Sequence, residues 1–146
     1  MILIIVTFAT NFYGNVDIAD YSNVAKFFAG EYKAKIRSSH SYLYGFIQSP
    51  FVFLFKSYIF FKISNLIILA LIIYSVYKIT NNKKALWLML LSPIVWYMAP
   101  FISPIQLASL FLLWSWFFIK KYDSNQRLKY LFISGILLGL SWAVYD

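Results

Sequence analysis

An all-α, polytopic transmembrane helix bundle of about four to five membrane helices, with an outer loop carrying an amphipathic interfacial helix, is the fold class predicted by three observations. First, the chain is 62% hydrophobic and 12% charged, whereas soluble domains are about 45–50% apolar and about 25% charged. A water-soluble fold of 146 residues could not cover so much apolar surface, because small domains leave a large share of their surface exposed. Second, the apolar residues gather into runs close to the length that crosses a bilayer, about 20 residues. Third, basic residues flank those runs, at Lys78, Lys83 and Lys84 and again at Lys120, Lys121, Arg127 and Lys129. The net charge of +8 therefore points to lipid headgroups and away from nucleic acid. There are no cysteines, which excludes disulfides, thiolate metal sites and a cysteine nucleophile.

The chain reads as a single membrane domain over 1–146 and as a piece of a longer protein. Residues 1–10 read as the end of a first span. Ile2–Ala9 is apolar but shorter than a crossing, and it lacks the basic start and small-residue cleavage site of a signal peptide. Residues 11–49 form a polar outer loop. Asn11-Phe-Tyr-Gly-Asn15 has turn chemistry, and Asp17–Ala29 is predicted helical. Ile18, Tyr21, Ala25 and Phe28 recur at helical spacing on one face, with Ser22, Asn23 and Lys26 opposite and Gly30 as the stop. Such a helix lies in the membrane interface.

Residues 50–78 hold a re-entrant segment and a span. The aromatic stretch Ser41–Phe55 returns to the interface, with Pro50 expected to start a short helix. Tyr58–Tyr77 is about 30 Å long at about 1.5 Å per residue, and Lys62 near its start is expected to snorkel outward. Asn81-Asn82-Lys83-Lys84 is a tight polar turn. Residues 85–101 form a short or broken span because they contain Pro93 and Pro100. Residues 102–119 form the next span, with Pro104 in its first turn. After the charged loop Lys120–Lys129, residues 128–145 form a last span, with Gly135 and Gly139 spaced for close helix packing. The basic turns face inward, which puts the 11–49 loop outside an integral membrane protein, expected in the plasma membrane.

The chain has five acidic residues, and Asp17, Asp20 and Glu31 all lie in that loop. So do the one histidine, His40, and the first arginine, Arg37. Carboxylate chemistry therefore belongs there. A carboxylate just outside the bilayer could act as a general base or hold a divalent cation. Asp17 is equally suited to cap the helix that follows it. Arg37 and His40 could meet a phosphate, for which the planar guanidinium fork is suited, or simply form a solvated basic stretch with Lys33 and Lys35. A metal held by His40 with Asp17 would lack a second histidine. Glu31 and Asp123 read as surface charges, and Trp87, Trp96, Trp114, Trp116 and Trp142 as interface or packing residues. Gln106 could face a cavity but suits a bond to a neighbouring helix.

The run Asp17-Ile-Ala-Asp20-Tyr21-Ser-Asn-Val-Ala25-Lys-Phe-Phe-Ala-Gly30 resembles the first outer loop of GT-C membrane glycosyltransferases. The shared pattern is Asp17, Tyr21, Ala25 and Gly30. In that family the loop follows the first membrane helix, and a re-entrant segment, a span, a basic turn and a proline-broken helix come next. Ser92-Pro93 and Ser103-Pro104 are similar to that stretch. The chain departs from the pattern at Ile18, where relatives often carry Glu, at Ser38–Ser41, where many carry a Pro-Pro pair, and at Asp146, where a basic residue is common.

The resemblance implies a transferase, mannosyltransferase-like, that moves a sugar from a polyprenyl-phosphate donor to an acceptor on the outer face. It implies Asp17 as catalytic base and Asp20 as its support. It implies Tyr21, Arg37 and His40 as substrate-binding residues. The partners would be the lipid bilayer and the lipid-linked sugar, with further spans of the same protein. A non-catalytic polytopic protein, such as a transporter subunit, scaffold or accessory subunit, is the rival. A transporter should carry polar groups at mid-membrane depth, where Ser64 and Asn65 are the chief examples.

Overall fold

The computed structural model describes residues 1–9, 18–33, 35–36, 42–55 and 59–145. Eight helices occur among them and the protein is all-α. They are α1 (Ile2–Ala9), α2 (Ile18–Phe28), α3 (Tyr42–Phe55), α4 (Ile59–Thr80), α5 (Lys83–Leu91), α6 (Pro93–Met98), α7 (Pro104–Asn125) and α8 (Leu128–Tyr145).

Each boundary has a local cause. Asp20 lies in the first turn of α2 and Lys26 in its last, both matching the helix dipole. Gly30, at φ +98°, ends the helix in the left-handed region that suits a residue without Cβ. The Glu31 amide then donates to the Lys26 carbonyl (2.9 Å) and the Gly30 amide to that of Phe27 (3.0 Å), a Schellman stop. Asn82 caps α5 by accepting from the Lys84 amide at 2.9 Å.

Pro93 breaks the 85–101 stretch into α5 and α6, as its composition predicts. Ser92 is extended, as a residue before proline prefers. The Trp96 indole N–H bridges the break by donating to the Leu90 carbonyl at 2.7 Å. Ser103 caps α7 through its hydroxyl and Pro104 opens the first turn. Gln126 turns the chain into α8 at φ 51°.

Pro50 does not start a helix. It lies inside α3. Proline removes the amide that would bond the Phe46 carbonyl, and the Ser49 hydroxyl takes that carbonyl instead at 2.7 Å. The helix therefore continues to Phe55.

α4 is the hub. Ile68 and Ile72 pack toward α3, α7 and α8, against Val52, Leu107, Leu110 and Val144. Leu69 and Ile73 pack on the other side, against Val95 and Ala99 of the α5–α6 arm. α7 and α8 form the most extensive pair, an antiparallel hairpin joined by two residues. Buried hydroxyls tie it together. Ser115 and Ser134 lie 2.8 Å apart, and Ser141 donates to the Ala108 carbonyl at 3.1 Å. The Trp114 indole reaches Ser75 of α4 at 2.9 Å, and Gln106 donates to the Met98 carbonyl at 2.7 Å.

Among the described residues one helix is both long and apolar enough to cross a membrane, over Phe61–Thr80. Tyr42–Leu54 and Leu128–Val144 are shorter apolar helices. α7 is as long as α4, but Gln106, its serines and tryptophans, and Lys120 and Lys121 lower its hydropathy. Gly135 and Gly139 have open space where a Cβ would stand, so the close packing their spacing suits does not occur among the described residues.

Candidate functional site

The loop end of the bundle is where polar side chains converge, and α2 brings the first of them. It packs on α3 because Gly45 leaves room. A Cβ on Gly45 would stand 2.7 Å from the Val24 Cβ and 3.1 Å from the Ala25 amide nitrogen. Val24 and Ala25 are fully buried there. This contact lowers the first turns of α2 onto the bundle, so Asp20 is only 6% exposed. Ser22, expected on the polar face, is 1% exposed for the same reason. Tyr21 is half-buried and meets Tyr44 of α3 edge to face, with ring centroids 5.4 Å apart.

α3 and α4 supply the rest. Tyr44 and Gln48 stand one turn apart on α3, and both are fully buried. The Tyr44 hydroxyl donates to the Asn65 amide oxygen at 3.4 Å. The Ser64 hydroxyl lies against the Gln48 amide oxygen and, at 3.2 Å, the Phe61 carbonyl. Burial pushes the Tyr44 phenol well above its ordinary range. The nearby Gln48 amide, which lies outside hydrogen-bond geometry, opposes this and Tyr21 adds to it. Tyr44 therefore stays a neutral hydroxyl.

Both amide oxygens are engaged, and both amide nitrogens are left over. Among the described residues, Gln48 Nε2 and Asn65 Nδ2 are buried without a hydrogen-bond partner, as is Ser22 Oγ. Leaving such a group unpaired costs about 1–3 kcal/mol, which is retained where something else uses the group. Two N–H₂ donors on adjoining helices can recognise an oxygen-bearing group, such as a hydroxyl or a phosphate.

Lys62 differs from its expectation. It is 2% exposed and does not snorkel. Its ammonium donates to the Thr7 carbonyl at the end of α1, 2.9 Å away. The last turn of a helix leaves carbonyls without intrahelical donors, and this one draws the amine inward.

Of the residues singled out in the sequence, Tyr21 meets this polar seam at Tyr44, and Asp20 is buried one residue before it in α2. Asp17, Arg37 and His40 lie outside the described residues. Tyr44, Gln48 and Lys62 were not expected there. Their sequence signal is slight: Tyr44 and Gln48 stand four apart in an otherwise apolar segment, and Lys62 precedes Ser64 and Asn65. Comparison with protein-family models, curated proteins and solved structures finds no match to this chain.

Proposed function

We propose that the protein is part of an integral membrane glycosyltransferase that moves a sugar from a polyprenyl-phosphate-linked donor to an acceptor on the outer face. The observation that carries this reading is the seam beneath α2. It joins α2, through Tyr21, to a buried phenol beside two amide donors that have no partner among the described residues, Gln48 Nε2 and Asn65 Nδ2. Sugars and phosphates are rich in oxygen acceptors, which such donors bind.

Membrane placement is supported by the way polarity is distributed. Lys62, Gln48, Asn65 and Ser115 are inside, while Phe132 and Trp142 are 71% and 73% exposed. Hydrocarbon favours that arrangement and water opposes it. In this reading α4, the broken α5–α6 arm, α7 and α8 cross or enter the bilayer, α1 ends a crossing, and α2 with α3 lies at the outer interface. Asp17 deprotonates the acceptor hydroxyl, Asp20 supports it, and Tyr21, Arg37 and His40 bind the donor.

The test is sugar transfer by the full reading frame in proteoliposomes with a polyprenyl-phosphate sugar. Asp17→Asn is expected to lower turnover by about 10²-fold or more, the scale of a lost general base, and Asp20→Asn to lower it less. Undiminished turnover in a folded Asp17→Asn variant removes Asp17 as base. A non-catalytic polytopic protein is the second reading, favoured by the buried Lys62, since ionisable groups enclosed between helices also line transport paths. Solute flux without transfer would select it.

A further inference from the structure

Four lysines stand at one depth of the bundle. α5 and α6 lead the chain back beside Leu69 and Ile73 of α4. α7 therefore starts near the middle of α4 and runs parallel to it, level with it at the bond from Trp114 to Ser75. α8 returns antiparallel, level with α7 where Ser134 meets Ser115. Counted from those contacts at about 1.5 Å per residue, Lys78 of α4, Lys120 and Lys121 of α7 and Lys129 of α8 fall within about one helical turn of each other along the axis.

Each is seated on an aromatic ring and not on an acid. The Lys78 ammonium lies over Tyr74 at 5.8 Å and that of Lys120 over Trp116 at 5.4 Å. Lys121 and Lys129 share the Tyr130 ring at 5.0 and 5.3 Å, which ties α7 to α8. Asp123 is the one acidic residue between positions 78 and 130. Among the described residues none of the four lysines is in an ion pair. A ring holds an ammonium in place without neutralising it, whereas a carboxylate would cancel its charge. Lys129 also stands in the first turn of α8, and Lys83 and Lys84 in that of α5, where the helix dipole disfavours a cation. Helix stability does not account for these charges, and they remain available to an outside anion.

The form of the layer selects the anion. A lone phosphate ion needs a cleft, but these cations are spread over three helices at a single depth. One turn further into the bundle stand Tyr74 and Trp116, each about half-exposed. Half-exposed rings just inside a layer of cations match the order of a bilayer surface, with phosphates outside and glycerol and acyl carbons within.

We propose that this end of the bundle binds anionic phospholipids in preference to zwitterionic ones, their phosphates held by Lys78, Lys120, Lys121 and Lys129. The inference rests on the membrane reading and not on sugar transfer.

The experiment reconstitutes the full-length protein in phosphatidylcholine with a trace of spin-labelled phosphatidylglycerol or spin-labelled phosphatidylcholine. Electron paramagnetic resonance reads the motionally restricted fraction of each, and so its association with the protein. Phosphatidylglycerol is expected to be preferred several-fold at low salt. The preference should approach unity in about 1 M NaCl, where charges are screened beyond about 3 Å. Lys121→Gln with Lys129→Gln should remove most of it, since each charge near an anionic surface is worth about fivefold. The same pair changed to Arg should keep it. Lys33→Gln with Lys35→Gln, beyond α2, should leave it unchanged.

Equal association of the two lipids with the unaltered protein at low salt overturns the proposal. So does a preference that survives in the Lys121–Lys129 Gln pair, or one that the Lys33–Lys35 pair lowers equally, which would reflect net charge alone. Protein stripped from the vesicles by alkaline carbonate refutes the membrane reading and the headgroup layer with it. Equal lipid association by carbonate-resistant protein overturns the layer alone.

Discussion

Gln48 and Asn65 share one predicament. Each uses its amide oxygen on a neighbouring hydroxyl and keeps two buried N–H bonds unpaired. An amide kept for binding alone could be replaced without loss of stability. Gln48→Leu removes the unpaired donor and leaves the Ser64 hydroxyl its Phe61 carbonyl. Its thermal stability in detergent should be unchanged or raised by up to about 1 kcal/mol, because an unsatisfied polar group is exchanged for an apolar one. Transfer activity should fall. Loss of stability with activity retained would show the amide to be scaffold. Ser49 offers a simpler case. Ser49→Ala deprives the Phe46 carbonyl of its donor and should cost about 1 kcal/mol. Adding Pro50→Ala restores a backbone amide and should recover that loss in the same melting experiment.

At the level of elements, the α2–α3 contact sets how far α2 is buried, and Gly45 sets the contact. Gly45→Ala forces Val24 aside and should destabilise by about 1–3 kcal/mol, the range for overpacking. Val24→Ala in the same chain should return part of it, so a double-mutant cycle in thermal unfolding reads the coupling. Additive effects would show that the two helices do not meet there. The helices themselves were largely legible in the sequence. Gly30, Asn82, Pro93, Ser103 and Pro104 act where they stand, through φ, a missing amide or a short side-chain acceptor. Such effects are local, so one sequence suffices to see them. Pro50 was misjudged because its defect is repaired by Ser49, a side-chain bond that propensity does not weigh. Lys62 was misjudged because its partner, the Thr7 carbonyl, lies 55 residues earlier in the chain.

At the scale of the whole molecule, lysines and aromatic rings pair at one end of the bundle. Lys78, Lys120, Lys121 and Lys129 gather where α4 and α7 end and α8 begins. Each lies over an aromatic ring: Lys78 over Tyr74, Lys120 over Trp116, Lys121 and Lys129 over Tyr130, at 5.0–5.8 Å. A belt of cations and aromatic rings is what a cytoplasmic membrane surface attracts. The chain has no cysteine, so single cysteines can report topology. Asn82→Cys and Gln126→Cys should react with an impermeant maleimide only after the cells are opened, and Glu31→Cys in intact cells. The opposite pattern would invert the topology and remove the outer-face reaction.

The sequence by itself determined the helical class, the order of the helices, the break at Pro93, and the concentration of acidic residues near α2. These follow from composition, periodicity and local backbone chemistry. The tertiary structure decided which polar groups meet. It buried Asp20, set Tyr21 edge to face on Tyr44, placed Gln48 beside Ser64, turned Lys62 inward, and left an apolar trough along α4. Those outcomes depend on helix packing across distant segments, where a single glycine or carbonyl settles the geometry, and no local pattern in the chain records them.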